Sequence, residues 1–311
     1  MLYLAQFLRY KNLKHMGIIR FECDIITFQE GSIIQQRYRV LHRLGSGSFA
    51  TTFLVSDMKE QEAEKVVKVA RIVDDPTQKH ESEVEALKKV SGFSGWPQFF
   101  ASFTTKSYKH IVLSHEGEAI ADVIVRNPSH SFSIANTLRI TFGIFDALQS
   151  LHSVGYLHHD VNQDNVMLKV VNKRAIVKLI DLGNSLKLNP PQTHHMFNWN
   201  SSFFIMMGKE HSCHDDFISS VYTIIELTGV PAFDTTMPLF EAKQKLHSDP
   251  SARLDKSRIW IGDVLKQLSS LKIKKSADFS AVWTHLDNSI SNVSPRSPIN
   301  FWIKDGKVIL D

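Results

Sequence analysis

Cysteine is nearly absent: Cys23 and Cys213 are the two among 311 residues, and thiols so far apart build no disulfide framework and suit a reducing compartment. Long apolar runs are missing as well. No stretch reaches the ~18 residues that a membrane span needs. The opening MLYLAQFLRYKNLKHM places its charges after its apolar part, with Arg9 cutting the run short, unlike a signal peptide. With no address signal to read, the cytoplasm is the expected location and no membrane partner is expected. Charge of one sign is lacking too. The 36 basic and 32 acidic residues leave +4, spread along the chain, which is no nucleic-acid footprint. The dense basic run at Lys272–Lys275, KIKK, reads as a solvated helix end. Glycine and proline, 14 and 10, are too few for a collagen-like or low-complexity chain. No repeat of solenoid period appears, and no heptad run argues for an oligomer, so a monomer is expected.

What is present is an ordinary globular composition, 43% hydrophobic and 22% charged, enough for one large two-lobed domain or two modest ones. From Tyr38 to about Val73 short alternating runs, YRVLHRL, TTFLVSD and KVVKVARI, predict three strands joined by turns. A turn at Asp74–Pro76 leads into HESEVEALKKV, where Val84, Leu87 and Val90 fall at helical spacing. Two more strands are predicted near Gln98–Thr104 and His110–Ser114. Beyond Gly117 the pattern turns helical. IANTLRITFGIFDALQSLHSVG sets Leu138, Phe142, Phe145, Leu148 and Leu151 on one face and ends in Gly155. Further helices are predicted over FISSVYTIIELTG, TMPLFEAKQKLHS, IGDVLKQLSSLK and FSAVWTHLDNSI, and FWIKDGKVIL near the end reads as a short hairpin.

Several residues carry chemistry. In LGSGSFATTFLV, Gly45 and Gly47 sit between two strand-like runs, where the lack of a Cβ lets a backbone turn approach a phosphate. Lys68 lies inside the apolar run KVVKVA; a buried lysine demands a partner, and Glu83 on the next helix can supply it. In YLHHDVNQDNVML, Asp160 and Asn165 stand five apart in a polar loop between apolar runs. A carboxylate there can accept a hydroxyl proton while the amide oxygen binds a metal. LIDLG then presents Asp181 at the end of an apolar strand, just before Gly183.

This ordered set resembles the eukaryotic protein kinases, over residues 36–290. Gly45-x-Gly47-x-Phe49 resembles the phosphate-covering loop, Lys68 the strand lysine, Glu83 its helix partner, HHDVNQDN the HRDxxxxN catalytic loop and DLG the DFG motif. Within the kinases the chain is most similar to the casein kinase 1 group, in its tau-tubulin kinase-like branch. GSIIQQRYRVLHRLGSGSF, EVEALKKVSG, LHSVGYLHHD and the HDDFISS at His214–Ser220 carry that likeness. The resemblance implies an α+β bilobal kinase fold: a leader over 1–35, a small β-sheet lobe with one main helix over 36–115, a larger and mainly helical lobe over 116–290, and a tail over 291–311. It implies Mg²⁺ and ATP as cofactors and transfer of the γ-phosphate to Ser or Thr of a protein substrate. Leu44, Gly45, Gly47, Lys68, Leu113 as gatekeeper and His115 would line the nucleotide pocket. Asn165 and Asp181 would hold the metal, and Asp160 with Lys68 and Glu83 would form the catalytic set. Asp216 would brace the catalytic loop.

The departures from the family pattern are specific. Asn162 stands where such kinases carry a lysine two residues after the catalytic aspartate, so a cation aimed at the phosphate is missing. Loss of one preorganised charge donor costs about 10²–10³ in rate. His159 replaces the HRD arginine and is expected to be partly charged near neutrality. MFNWNSS replaces the GTxRYAS stretch of the group, Val66 takes the place of the small alanine over adenine, and Ala50 stiffens the glycine loop. The alternative function is therefore an ATP-binding pseudokinase acting as a scaffold or regulator. A metal site among His194, His195, His211, Cys213 and His214 is the rival reading of the activation region, and irregular spacing argues against it.

Overall fold

The structure, a computed structural model, describes residues 25–47, 50–74, 79–189 and 198–311. The expectations on residues 1–24 with Cys23, on Phe49, on the Asp75–Pro76 turn and on His194 and His195 lie outside the described residues. The chain divides into two compact units. One runs up to Val84 and resumes over Gln98–His115; the other takes Glu85–Pro97 and Glu116–Asp311.

The first unit is built on a six-stranded sheet in the order β1-β2-β3-β4-β6-β5, with β1 (Ile33–Ile34), β2 (Tyr38–Ser46), β3 (Ala50–Asp57), β4 (Ala63–Arg71), β5 (Phe99–Thr104) and β6 (Tyr108–Ser114). Each neighbouring pair is antiparallel. Period-two alternation turns Ile34, Tyr38, Val40, Phe53, Val55, Val67, Val69 and Val112 to one face, where with Ile26 they form a buried cluster. Burying side chains of this size contributes roughly 1.5–3 kcal/mol each. Alternation along β4 puts Lys65 among the buried positions with Val67 and Val69 and leaves Val66 and Lys68 on the opposite face. The lysine that the sheet buries most is therefore Lys65, 2% exposed, which the sequence pattern did not single out. Helix α1 (Lys79–Val90) follows, with Val84, Leu87 and Val90 all buried as their spacing predicts.

The second unit carries α2 (Ile120–Arg126), α3 (Ile134–Ser153), α4 (Phe203–Met206), α5 (Cys213–Leu227), α6 (Leu239–Ser248), α7 (Ile259–Lys274) and α8 (Ser280–Asn288). In α3 the predicted face is buried at Leu138, Phe145, Leu148 and Leu151, while Phe142 is half-buried against Trp283, ring centroids 5.3 Å apart. Ser133 caps the helix by accepting from Asn136 N. Gly155, at φ +88°, turns the chain just past its end. The predicted hairpin is present as β12 (Phe301–Lys304) and β13 (Lys307–Leu310). Arg126 Nη2 and Asn127 Nδ2 hold it by donating to the carbonyls of Val308 and Leu310, both at 2.9 Å.

The second unit is mainly helical as expected, and it also holds short strands. A three-stranded sheet, β10-β9-β7, pairs β7 (Glu118–Ala119), β9 (Val166–Val171) and β10 (Arg174–Leu179), and β8 (Tyr156–Leu157) pairs with β11 (Leu186–Lys187). These ladders position the chemistry. The loop at 158–165 joins β8 to β9, and the loop at 180–185 joins β10 to β11. Pairing of Val166 with Leu179 and of Leu157 with Leu186 forces the two loops side by side. Of the KIKK run, Ile273, Lys274 and Lys275 are exposed at the helix end as expected. Lys272 differs: its Nζ donates to Glu210 O and Ser212 Oγ and pairs with Asp215 at 2.7 Å, because the end of α7 lies beside the start of α5.

Candidate active site

The expected site residues fall into two groups, one in each unit. In the first, Lys68 on β4 donates from Nζ to Glu83 Oε1 on α1 at 2.7 Å. Glu83 is buried and the Lys68 side chain is 18% exposed, so the ammonium keeps a solvent-facing side. Lys68 pairs across the sheet with Thr52 and Ile111, and Val66 with Leu113. Leu113 is buried, Leu44 is exposed, and His115 Nδ1 lies 3.7 Å from Glu64. Among the described residues a Cβ at Gly45 would meet nothing within 4 Å, and one at Gly47 nothing nearer than Ala50 O at 3.8 Å. Neither has a positive φ. Internal packing therefore does not require glycine here, and what its absence of Cβ preserves is an open approach to the backbone.

The second group gathers on the two loops. Asn165 Nδ2 donates to Asp160 O at 2.8 Å, and Ile180 N donates to Asn165 O at 3.0 Å. Asp181 Oδ1 accepts from Gly183 N at 3.0 Å. The Asp160 carboxylate is held by three carboxamides. Asn162 Nδ2 donates to Oδ1 at 3.0 Å, Asn198 Nδ2 to Oδ1 at 2.8 Å, and Asn184 Nδ2 to Oδ2 at 3.2 Å. Burial raises the affinity of Asp160 for a proton above that of an ordinary carboxyl. The charge of Asp181 adds to this, while His158, Asn184 and Asn162 oppose it.

His159 and Asp181 take left-handed backbone, φ +66° and +64°, a strained choice for residues with a Cβ. At His159 the restraint comes from Asp216, on α5 and 3% exposed. Its Oδ2 accepts from His158 N and Oδ1 from His159 N, both at 2.8 Å, so the bracing expected of Asp216 is present. The same carboxylate accepts from His152 Nε2 at 2.8 Å. Burial works against the His152 imidazolium, but the hydrogen bonds of Asp216 and Cys213 outweigh it and push the group up to about 9. His159 differs from expectation. Burial, and then His211 at a ring distance of 4.3 Å, push it down to about 4, so it is neutral at pH 7 rather than partly charged.

Asn184 and Asn198 were not legible as site residues. They lie 24 and 38 positions from Asp160, and the sole hint was the asparagine-rich MFNWNSS in place of the family stretch. Oxygen donors suit a hard cation such as Mg²⁺. With the Asn165 amide nitrogen committed to Asp160 O, its amide oxygen and the Asp181 carboxylate fit that role. Among the described residues no three His, Cys, Asp or Glu are arranged to hold a metal ion, and none of the described helices is long and apolar enough to cross a membrane.

Comparison with known proteins agrees with this geometry. The model of the protein kinase domain matches residues 38–258. A probable serine/threonine-protein kinase of Dictyostelium discoideum is 28% identical over 65% of this chain and 42% of its own length. Calcium-dependent protein kinase 26 of Arabidopsis thaliana is 25% identical over 76% of this chain and 50% of its own. A Caenorhabditis elegans protein named for casein kinase I is 27% identical over 49% of this chain and 46% of its own. The chain thus spans about half the length of these curated relatives. With the two-unit α+β fold, the strand lysine on its helix glutamate and a family match over most of its length, the chain belongs to the protein kinase family.

Proposed function

We propose that this chain is a serine/threonine protein kinase of the casein kinase 1 kind, in its tau-tubulin kinase-like branch, and that its chemistry is slow. It would act in the cytoplasm, as a monomer, on protein substrates. The observation that carries the activity is the converged set Asp160, Asn165 and Asp181 in one unit, with the Lys68–Glu83 pair retained in the other. The C. elegans relative named for casein kinase I supports the group. The altered segment around Asn198 argues against carrying over that group's taste for acidic or phosphate-primed substrates.

Each residue then has a role set by its surroundings. Lys68, oriented by Glu83, holds the α- and β-phosphates of ATP. A carboxylate oxygen has room for two hydrogen bonds. Asp160 Oδ1 already accepts two, from Asn162 and Asn198, and Oδ2 accepts one, from Asn184, so Oδ2 takes the acceptor hydroxyl. The hydroxyl oxygen bonds to the γ-phosphorus as the bond to the ADP oxygen breaks, and its proton passes toward Asp160. Bound Mg²⁺, on Asn165 and Asp181, would supply neutralisation of phosphate charge. Asn162 orients Asp160 but brings no charge, hence the slow rate.

The test is Mg-ATP-dependent phosphate incorporation into casein and into the protein itself. Transfer that disappears in Asp160→Asn and rises about 10²-fold in Asn162→Lys supports the reading. Silence in wild type and in both variants overturns it. A pseudokinase is the second reading, favoured by the neutral His159 and the uncharged Asn162. It predicts a melting temperature raised by Mg-ATP, with the metal dependence lost in Asp181→Asn, and no transfer under any condition.

A further inference from the structure

Lys243, on α6, is 0% exposed. Its Nζ donates to Trp199 O at 2.7 Å and to Ser201 O. The rings of Tyr222 and Phe233 flank it, each centroid 5.1 Å away. Among the described residues no carboxylate pairs with it. On its own helix it faces His247, which burial and the Lys243 charge push down to about 3 and keep neutral. From α5 it faces Tyr222, whose hydroxyl bonds His247 Nε2 at 2.7 Å; from α7, Ser269 Oγ closes the set on His247 Nδ1 at 3.0 Å. An ammonium with no counter-ion is a costly group to bury. A fold that needed bulk alone at this position would be served as well by an apolar side chain of similar length.

The carbonyls that it grips identify its use. They belong to the turn 198–202, which is knitted to the catalytic loop. Asn198 N donates to Ser201 Oγ at 3.0 Å, and Ser201 Oγ donates back to Asn198 Oδ1 at 3.1 Å. Asn200 Nδ2 reaches Val161 O and Thr223 Oγ1, and Ser202 Oγ donates to Asp215. The leading residue of this turn is Asn198, whose carboxamide bonds Asp160 Oδ1 at 2.8 Å. Three hydrogen bonds through Ser201, or two through Trp199 with the peptide link to Asn198 between them, therefore connect the buried ammonium to the carboxylate assigned to the acceptor hydroxyl.

We propose that Lys243 is a positioning residue: its ammonium clasps the 198–202 turn from beneath and so holds the Asn198 carboxamide on Asp160 Oδ1, leaving Oδ2 aimed at the acceptor hydroxyl. The role of Oδ2 rests on the kinase reading above; the clasp itself does not. Without the clasp the turn loosens, Asn198 leaves Asp160, and the carboxylate becomes free to rotate.

Lys243→Met, Lys243→Arg, Asn198→Ala and the Lys243→Met/Asn198→Ala double variant test it in the full chain. Three readouts apply: hydrogen exchange across 198–202, the ¹⁵N side-chain amide resonance of Asn198, and kcat with KM. In Lys243→Met exchange in the turn accelerates about tenfold or more, the Asn198 amide resonance moves because its acceptor has left it, and kcat falls about 10–100-fold with KM for ATP unchanged. Lys243→Arg restores part of each. Asn198→Ala shows the same kcat loss, and the double variant is no worse than either single, since the two residues serve one link. Additive losses, an unmoved Asn198 amide resonance, or unchanged exchange in the turn overturn the proposal. Should Lys243→Met fail to fold, Asn198→Ala and Lys243→Arg carry the test. If the wild type transfers no phosphate, the kinase reading fails by itself, and the exchange and resonance data still decide the clasp.

Discussion

Among the described residues two lysines are almost wholly buried, one in each unit, and the fold treats them in opposite ways. Lys65, 2% exposed, sits under Phe100, with its Nζ 2.6 Å from Asp57 and 2.8 Å from Glu60. Asp57 is also gripped by Arg37 through two bonds of 2.7 and 2.6 Å. Burial alone would lower the Lys65 pKa, yet the hydrogen bonds of Asp57 and Glu60 outweigh it and the group is raised above its ordinary value. Lys243 has carbonyls and ring faces instead, and burial pushes it down to about 7. The first lysine is neutralised by carboxylates and serves the sheet. The second is a buried amine with no carboxylate partner beside the chain segment that touches Asp160, which is where a fold tolerates a costly group for the sake of geometry.

The comparison breaks most readily on the Lys65 side. Asp57→Ala leaves the buried Lys65 with the half-exposed Glu60 alone and removes the bidentate partner of Arg37, and chemical denaturation should show a loss of about 3–5 kcal/mol. A loss under 1 kcal/mol would mean that Lys65 reaches water and is not the counterpart of Lys243 at all. The next effect is a pH dependence. Folded Lys243 releases its proton near 7 and unfolded Lys243 near 10.5. Between those values the unfolded chain binds more protons, so this group makes stability rise with pH, by at most about 1.4 kcal/mol per pH unit. His152 acts in the other direction. Raised from 6.5 to about 9, it contributes stability that is complete below 6.5 and lost as pH rises through 9. The two slopes oppose each other between about 7 and 9, so the informative quantity is the difference between wild type and Lys243→Met. Wild type should gain on the variant as pH rises from 7 to 10.5, and a flat difference would show that Lys243 titrates normally. The smallest effect is Glu60→Gln. Glu60 is 49% exposed, and its loss should cost about 0.2–1 kcal/mol, because Asp57 alone neutralises Lys65.

The same contrast shows what could be read from sequence. Lys68, Glu83, Asp160, Asn165 and Asp181 were legible because their roles depend on short, ordered spacings within single loops or neighbouring elements. The helical face of Leu138, Phe145, Leu148 and Leu151 was legible from its period. Lys65 was not, because the valines around KVVKVA look like one block until pairing in the sheet sends Val67 and Val69 to one face and Val66 and Lys68 to the other. Asn184 and Asn198 were hidden for a different reason. Their partner lies on another loop, and contact depends on the β8–β11 and β9–β10 registers, which no local pattern encodes. Lys243 reads as one of several charges on an amphipathic helix, and its burial is set by the rings of Tyr222 and Phe233. His159 could be located but not its protonation, since that depends on its burial and then on His211, 52 positions away.

The grip of Asp216 on the catalytic loop is a grip on main-chain amides alone: it receives the N–H groups of His158 and His159, which every residue except proline can offer. The side chain at 159 thus takes no part in that grip. An ancestor could exchange its residue there without unmooring Asp160, gaining or losing a response to phosphate as a separate trait. Inheritance of the loop's shape and inheritance of its regulation are in this way two independent characters, free to diverge between lineages.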